Sequence, residues 1–68
     1  MPGTYKRVEI VGTSPVSFEE AIKSAVAEAS NSIRHMDWFE VVEMRGMIKE
    51  GKVAEYQVVT KIGFKIDR

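Results

Sequence analysis

The sequence predicts an α+β fold of the order β-α-β-β, with one helix lying across a three-stranded antiparallel sheet. Three observations predict it. Apolar and polar residues alternate near the N-terminus and again through the C-terminal half, as they do in half-buried strands. Between these stretches, apolar residues recur at steps of three and four, as on one face of a helix. A glycine-containing run then separates the last two extended stretches, as in a hairpin.

The first strand is predicted over Tyr5 to Val11. Val8 and Ile10 alternate there with charged residues, and the run Gly12-Thr13-Ser14-Pro15 follows, which is typical of a strand end. The strand should therefore stop before Gly12.

The helix is predicted to begin after Ser17, which forms a capping box with Glu20. It should end near Arg34, because the serines and asparagine just before Arg34 are weak helix formers. His35 would then lie at the helix C-terminus, where a cation is favoured. The apolar stripe contains small residues that allow close packing on a sheet; it consists of Phe18, Ala21, Ile22, Ala25, Val26, Ala29 and Ile33.

The last two strands are predicted over 38–48 and 53–66, joined by a three-residue loop at Glu50–Lys52. This loop pairs Arg45 opposite Gln57. Alternation assigns the two faces of the sheet. Trp38, Val42, Met44 and Ile48 should face the helix together with Phe64, whereas Arg45, Gln57 and Lys65 should face away from it.

The size of the chain predicts one domain, residues 1–68, with a small core. A domain of this length buries only about 60% of the surface that its unfolded chain exposes. It has no cysteine and a single histidine, so disulfides, thiolate metal sites and a histidine-built zinc site are excluded. Self-association is the remaining means of stabilisation, and we expect an oligomer.

The charge balance argues against a nucleic-acid partner. Ten basic and ten acidic side chains give a formal charge of zero, whereas nucleic-acid binders usually have a basic excess. No apolar run approaches the roughly 20 residues of a membrane span. The N-terminus does not have the pattern of a signal peptide. We expect a soluble, cytoplasmic protein with no membrane partner.

Two residues stand out as candidate ligand contacts. Trp38 is the only tryptophan and Gln57 the only glutamine. An indole can stack on a flat heteroaromatic ring, and a carboxamide can both donate and accept hydrogen bonds at its edge. The more common roles are a core or interface tryptophan and a solvated glutamine, and Arg45 and Lys65 are likewise most often surface cations. No nucleophile–base pair is apparent, so the sequence does not predict an enzyme.

The order and spacing of several motifs resemble the dodecins, small flavin-binding proteins. The similarity covers nearly the whole chain. It includes Val8 to Ser14, Ala21-Ile22, Asp37-Trp38-Phe39-Glu40-Val41, Arg45-Gly46, Glu55-Tyr56-Gln57-Val58 and Gly63-Phe64.

This resemblance implies a hollow homododecamer that holds pairs of flavins at two-fold axes between subunits. Trp38 would stack on the isoalloxazine ring, and Gln57 would hydrogen-bond its polar edge. Arg45 and Lys65 would meet the phosphate of FMN, the flavin that we favour over riboflavin and FAD. Lysine at position 65 lacks the bidentate fork of the arginine in several bacterial members. Coenzyme A is a further candidate ligand, with Lys6 or Arg34 at its phosphates.

The leading hypothesis is therefore a flavin storage and sequestration protein that quenches flavin photochemistry, and not an enzyme. One alternative is an oligomeric structural or coenzyme A-binding module without a flavin function. The other is a flavoenzyme, which ranks last because stacked rings leave little room for a substrate.

Overall fold

The computed structural model describes residues 3–66 and has the predicted order of elements. These are β1 (Tyr5–Ser14), α1 (Phe18–Ala29), β2 (Met36–Lys49) and β3 (Lys52–Lys65). The strands form one antiparallel sheet in the order β1-β3-β2, and α1 lies across β1 and β3. The predicted fold class is confirmed.

The sheet has two different faces. The inner face lies against α1 and includes alternate residues of β3, while the outer face carries the residues between them. The small residues of α1 pack closely on the inner face, as predicted. The buried apolar residues are Ala21, Ala25, Ala29, Val58, Val59 and Ile62, and Thr60 is fully buried beside them.

β1 runs three residues further than predicted. Gly12, Thr13 and Ser14 do not turn but continue the ladder with β3. The reason is the length of β3, whose 14 residues supply pairing partners as far as Tyr56. A long partner strand thus overrides the local preference of this run for a turn.

The start of α1 was predicted correctly and its end was not. Ser17 is the N-cap, and its Oγ accepts a hydrogen bond from the backbone N–H of Glu20 at 3.1 Å. The helix ends at Ala29, five residues before Arg34. His35 therefore lies in the connection to β2, where it has a positive φ of 62°, and not at the helix C-terminus.

The hairpin reaches the predicted register by a different route. Lys49 pairs with Lys52, so the loop has two residues and not three. Both loop residues, Glu50 and Gly51, have positive φ (53° and 77°), as a type I′ turn requires. A register shift follows on β3 at Ala54, after which Arg45 pairs with Gln57 as predicted.

Trp38 lies on the outer face, and the prediction that it faces the helix is wrong. It pairs opposite Gly63, an outer-face residue of β3. The ladder shifts by one residue between Val41 and Glu43, so that Val42 is an extra residue in β2. Counting alternate residues across Val42 therefore assigns Trp38 to the wrong side of the sheet.

The chain is elongated because the β2–β3 hairpin extends beyond α1. Its principal extents are 52 × 20 × 13 Å and its radius of gyration is 14.0 Å, whereas a compact chain of this length would have about 11 Å. Much apolar surface on the hairpin is exposed: Val42, Met44, Met47, Ile48 and Val53. Within residues 3–66, α1 is too short and too polar to span a bilayer.

Candidate functional site

The indole of Trp38 lies flat on the backbone of β3. Gly63, directly opposite, has no side chain, and a Cβ built there would overlap three atoms of the indole ring. Tyr5 of β1 contacts the ring from the other side of Gly63, with ring centroids 5.2 Å apart and planes inclined by 54°. Trp38 nevertheless remains 40% exposed. It therefore presents an aromatic surface, supported by the sheet beneath, on which a flat ring could stack.

The edge of the indole is held by a carboxylate. Trp38 Nε1 donates to Glu40 Oε1 at 3.4 Å, and Arg7 Nη1 donates to the same oxygen at 3.0 Å. The hydrogen bond from Arg7, followed by the one from Trp38, lowers the pKa of Glu40 below its usual value. Glu40 is therefore ionised at neutral pH and can accept both bonds.

The carboxamide of Gln57 is held in one orientation. Arg45 Nε donates to Gln57 Oε1 at 2.8 Å, and Gln57 Nε2 donates to Glu55 Oε1 at 2.8 Å. An arginine only donates and an ionised glutamate only accepts, so these neighbours determine which end of the amide is oxygen. One amide hydrogen and one lone pair remain outside these two bonds. This remaining donor and acceptor could form hydrogen bonds with a heterocycle whose edge has an acceptor next to a donor.

Arg45 belongs to the same hydrogen-bonded group as Gln57 and Glu55. Its Nη1 lies 3.9 Å from Glu43 Oε1, so its charge is partly balanced. Lys65 is far from it, at the Trp38 end of the sheet, where it pairs opposite Tyr5. The two cations share the outer face, as predicted. They lie eight residues apart along β3, roughly 25 Å, and cannot meet one phosphate from a single chain.

Trp38 and Gln57 also share the outer face, which the sequence did not predict. Their positions along β3, at Gly63 and at Gln57 itself, are six residues apart, or roughly 20 Å. That span is longer than an isoalloxazine ring system. A single chain thus offers two half-sites: an indole half-site around Trp38 and an amide half-site around Gln57.

Four residues of the indole half-site were missed by the sequence analysis: Tyr5, Arg7, Glu40 and Gly63. Alternation in β1 places Tyr5 and Arg7 on one face, which was a usable signal. It could not place them beside Trp38, because that requires the register shift at Val42.

The sequence model of the dodecin family matches residues 4–67. The chain belongs to the dodecin family. A dodecin from Thermus thermophilus is 52% identical over 67 residues, which span 98% of this chain and 97% of that protein.

Solved dodecin structures agree closely with the fold. The dodecin of Streptomyces coelicolor superposes with a TM-score of 0.94 at 45% identity, covering 97% of this chain and 94% of that one. The tt0972 protein from Thermus thermophilus gives 0.93 at 51% identity, with 98% of both chains covered. The strand and helix order is thus a property that this chain shares with known dodecins.

A more distant relative is the calcium dodecin of Mycobacterium tuberculosis, 31% identical over 62 residues (91% of this chain and 87% of that protein). A structure of that protein is described as containing a novel calcium-binding site. Among residues 3–66 of the present chain, no group of three or more histidine, aspartate or glutamate side chains is arranged to hold a metal ion.

Proposed function

We propose that this dodecin binds, stores and sequesters a flavin, with FMN as the first candidate. The observation that carries the proposal is the open face of Trp38, supported by the backbone at Gly63 and 40% exposed on a strand. A large aromatic side chain in this position is expected to be covered by a partner or a ligand. The oriented carboxamide of Gln57 adds a hydrogen-bonding group that suits the polar edge of a flavin.

The proposed site is completed by more than one chain. The two half-sites are too far apart to contact one ring within a chain, so a flavin that touches both must lie between subunits. The exposed apolar surface of the hairpin supports self-association, and a hollow homododecamer is the assembly that we propose. Arg45 and Lys65 would approach the FMN phosphate from different subunits.

The chemistry of this site is binding and quenching without turnover. Stacking on an aromatic surface contributes about 1–3 kcal/mol per ring. A flavin stacked on an indole loses its excitation by rapid electron transfer from the indole. Storage in such a site would therefore suppress flavin photochemistry as well as buffer the free flavin.

The test is a titration of dilute FMN with purified protein in the dark, followed by flavin fluorescence. We expect saturable quenching near one flavin per chain and elution of the complex as a large particle. Trp38→Ala should weaken binding and restore the fluorescence of any flavin that remains bound. A large particle that leaves FMN fluorescence unchanged would refute the flavin function and leave coenzyme A, riboflavin and FAD as the next ligands to titrate.

A further inference from the structure

We propose that Glu40 and Gly63 are positioning residues that hold the indole of Trp38 ready for stacking. Neither residue was among the sequence candidates, and the inference rests on the flavin function proposed above. Gly63 supplies the surface beneath the ring and Glu40 fixes its edge.

The role of Gly63 follows from the space that the indole occupies. A Cβ at this position would overlap the Cδ2, Cε2 and Cζ2 atoms of Trp38. Any larger residue at position 63 must therefore move the indole off the sheet. Since Gly63 lies within a strand and has no positive φ, the need for glycine here comes from the ring and not from the backbone conformation.

The role of Glu40 follows from its two hydrogen bonds. A tryptophan lying on a sheet can still rotate about its side-chain bonds, and each rotamer that ligand binding excludes costs affinity. The bond from Nε1 to Glu40 Oε1, at 3.4 Å, selects one orientation of the ring. Arg7 holds the carboxylate from β1 at 3.0 Å, so the orientation is set across all three strands.

Several charged groups share this part of the outer face. Arg7 and Glu9 come from β1, Lys61 and Lys65 from β3, and Glu40 from β2. Glu9 and Glu40 flank Lys61 in the same row of the sheet, but only Glu40 contacts the indole. Glu9 is therefore a matched control: its removal takes the same charge from the same row without touching Trp38.

The test uses the single tryptophan as its own probe. Time-resolved fluorescence anisotropy of the ligand-free protein reports how freely the indole rotates. We expect Glu40→Ala to add a fast component to the anisotropy decay and to raise the Kd for FMN between about twofold and tenfold. Glu40→Gln keeps an oxygen that can accept from Nε1, so it should restore most of both properties. Glu9→Ala should match the unaltered protein.

Gly63→Ala is the second variant in this experiment and tests the role of Gly63. The displaced indole should show a shifted emission spectrum and a fast anisotropy component, and FMN affinity should fall by about tenfold or more through lost stacking. If this variant does not fold, the Glu40 series decides alone. An unchanged anisotropy decay and unchanged FMN affinity in Glu40→Ala would overturn the inference. Failure of the unaltered protein to bind FMN would refute the flavin function instead, and the anisotropy of the ligand-free variants would still test the positioning role.

Discussion

At the scale of single residues, the two half-sites are built in the same way. In each, charged neighbours form hydrogen bonds that fix the orientation of the group proposed to contact the ligand. Gln57 lies between a pure donor and a pure acceptor, and Trp38 is bonded to a carboxylate that Arg7 holds. Groups oriented before the ligand arrives lose less entropy on binding. Substituting Trp38 or Gln57 should therefore remove a ligand contact, whereas substituting a charged neighbour should weaken binding only by loosening the orientation of that contact.

Gln57→Ala should weaken FMN binding by about 1–3 kcal/mol, because a buried edge of the ring would lose its hydrogen bonds. That corresponds to an increase in Kd between about fivefold and 150-fold, measured by fluorescence titration. Thr13→Ala is the control, since Thr13 lies opposite Gln57 in the same row of the outer face. Superimposable titration curves for Gln57→Ala and the unaltered protein would remove Gln57 from the site.

Arg7→Gln should raise the pKa of Glu40, because the bond from Arg7 is the main cause of its depression. A lowered pKa in the folded state contributes stability above the pKa of the unfolded chain, and this contribution is lost as the pH falls through the folded value. The stability difference between the two proteins should thus be largest near neutral pH and shrink in acid. Titration of the Glu40 carboxyl carbon by NMR measures this pKa. Lys61→Gln should shift the pKa less, because Lys61 contributes less to its depression. An unchanged pKa of Glu40 in Arg7→Gln would contradict the role of this ion pair.

At the scale of secondary-structure elements, the extra residue in β2 has a specific partner. Thr60 is fully buried, and its hydroxyl donates to the backbone carbonyl of Glu40 at 2.8 Å, next to the register shift. Thr60→Val keeps the shape but leaves that carbonyl without its donor, which should cost about 1–3 kcal/mol in urea unfolding. The exposed Thr13→Val should change stability little. Equal stabilities of the two variants would show that the hydroxyl does not support the irregular ladder.

The N-cap of α1 offers a second test at this scale. Ser17→Ala removes the oxygen that accepts from the N–H of Glu20 and should lower the free energy of unfolding by about 1 kcal/mol. Ser24→Ala, on the exposed side of the same helix, should be neutral or slightly stabilising. Unfolding at one fixed protein concentration compares them, and a loss in Ser24→Ala as large as that in Ser17→Ala would argue against the cap.

The elements also show what the sequence could and could not predict. Periodicity identified every strand and the helix, and the side chain of Ser17 marked where the helix begins, because both signals are local. The face of Trp38 was wrong because one unpaired residue, Val42, reverses all counting beyond it. Trp38 and Glu40 lie two residues apart on one strand, so alternation places them on the same face. The ion pair between Glu40 and Arg7 depends on the register across β3, so it could not be predicted from residue types alone.

At the scale of the whole molecule, the described part of the chain exposes many large apolar side chains. On the inner face of β2, Phe39 is 48% exposed and Val41 43% exposed, since α1 covers only the other two strands. Phe39 borders an open apolar groove along α1 that is also lined by Ile22 and Val26. Association of copies through such surfaces would supply the core that one chain lacks.

Phe39→Glu should therefore dissociate the proposed assembly, because it puts a charge into apolar surface that association would bury. Size-exclusion chromatography with light scattering should show a shift from a large particle to small species. Thermal stability should fall, because the stabilisation that association contributes is lost. Ser24→Glu adds the same charge on the exposed side of α1 and should keep the large particle. An intact large particle in Phe39→Glu would exclude this face from the interface.

The register shifts in the hairpin have a geometric consequence. A regular two-stranded ribbon with unpaired edges can add neighbours in an open-ended array. Each extra residue, at Asp37 and Val42 in β2 and at Ala54 in β3, bends and twists its strand locally. The curvature of any layer built from this hairpin therefore depends on these three single-residue insertions. Deleting any one of these extra residues would flatten the β2–β3 hairpin. It would thereby change the radius at which neighbouring copies can close into a finite shell.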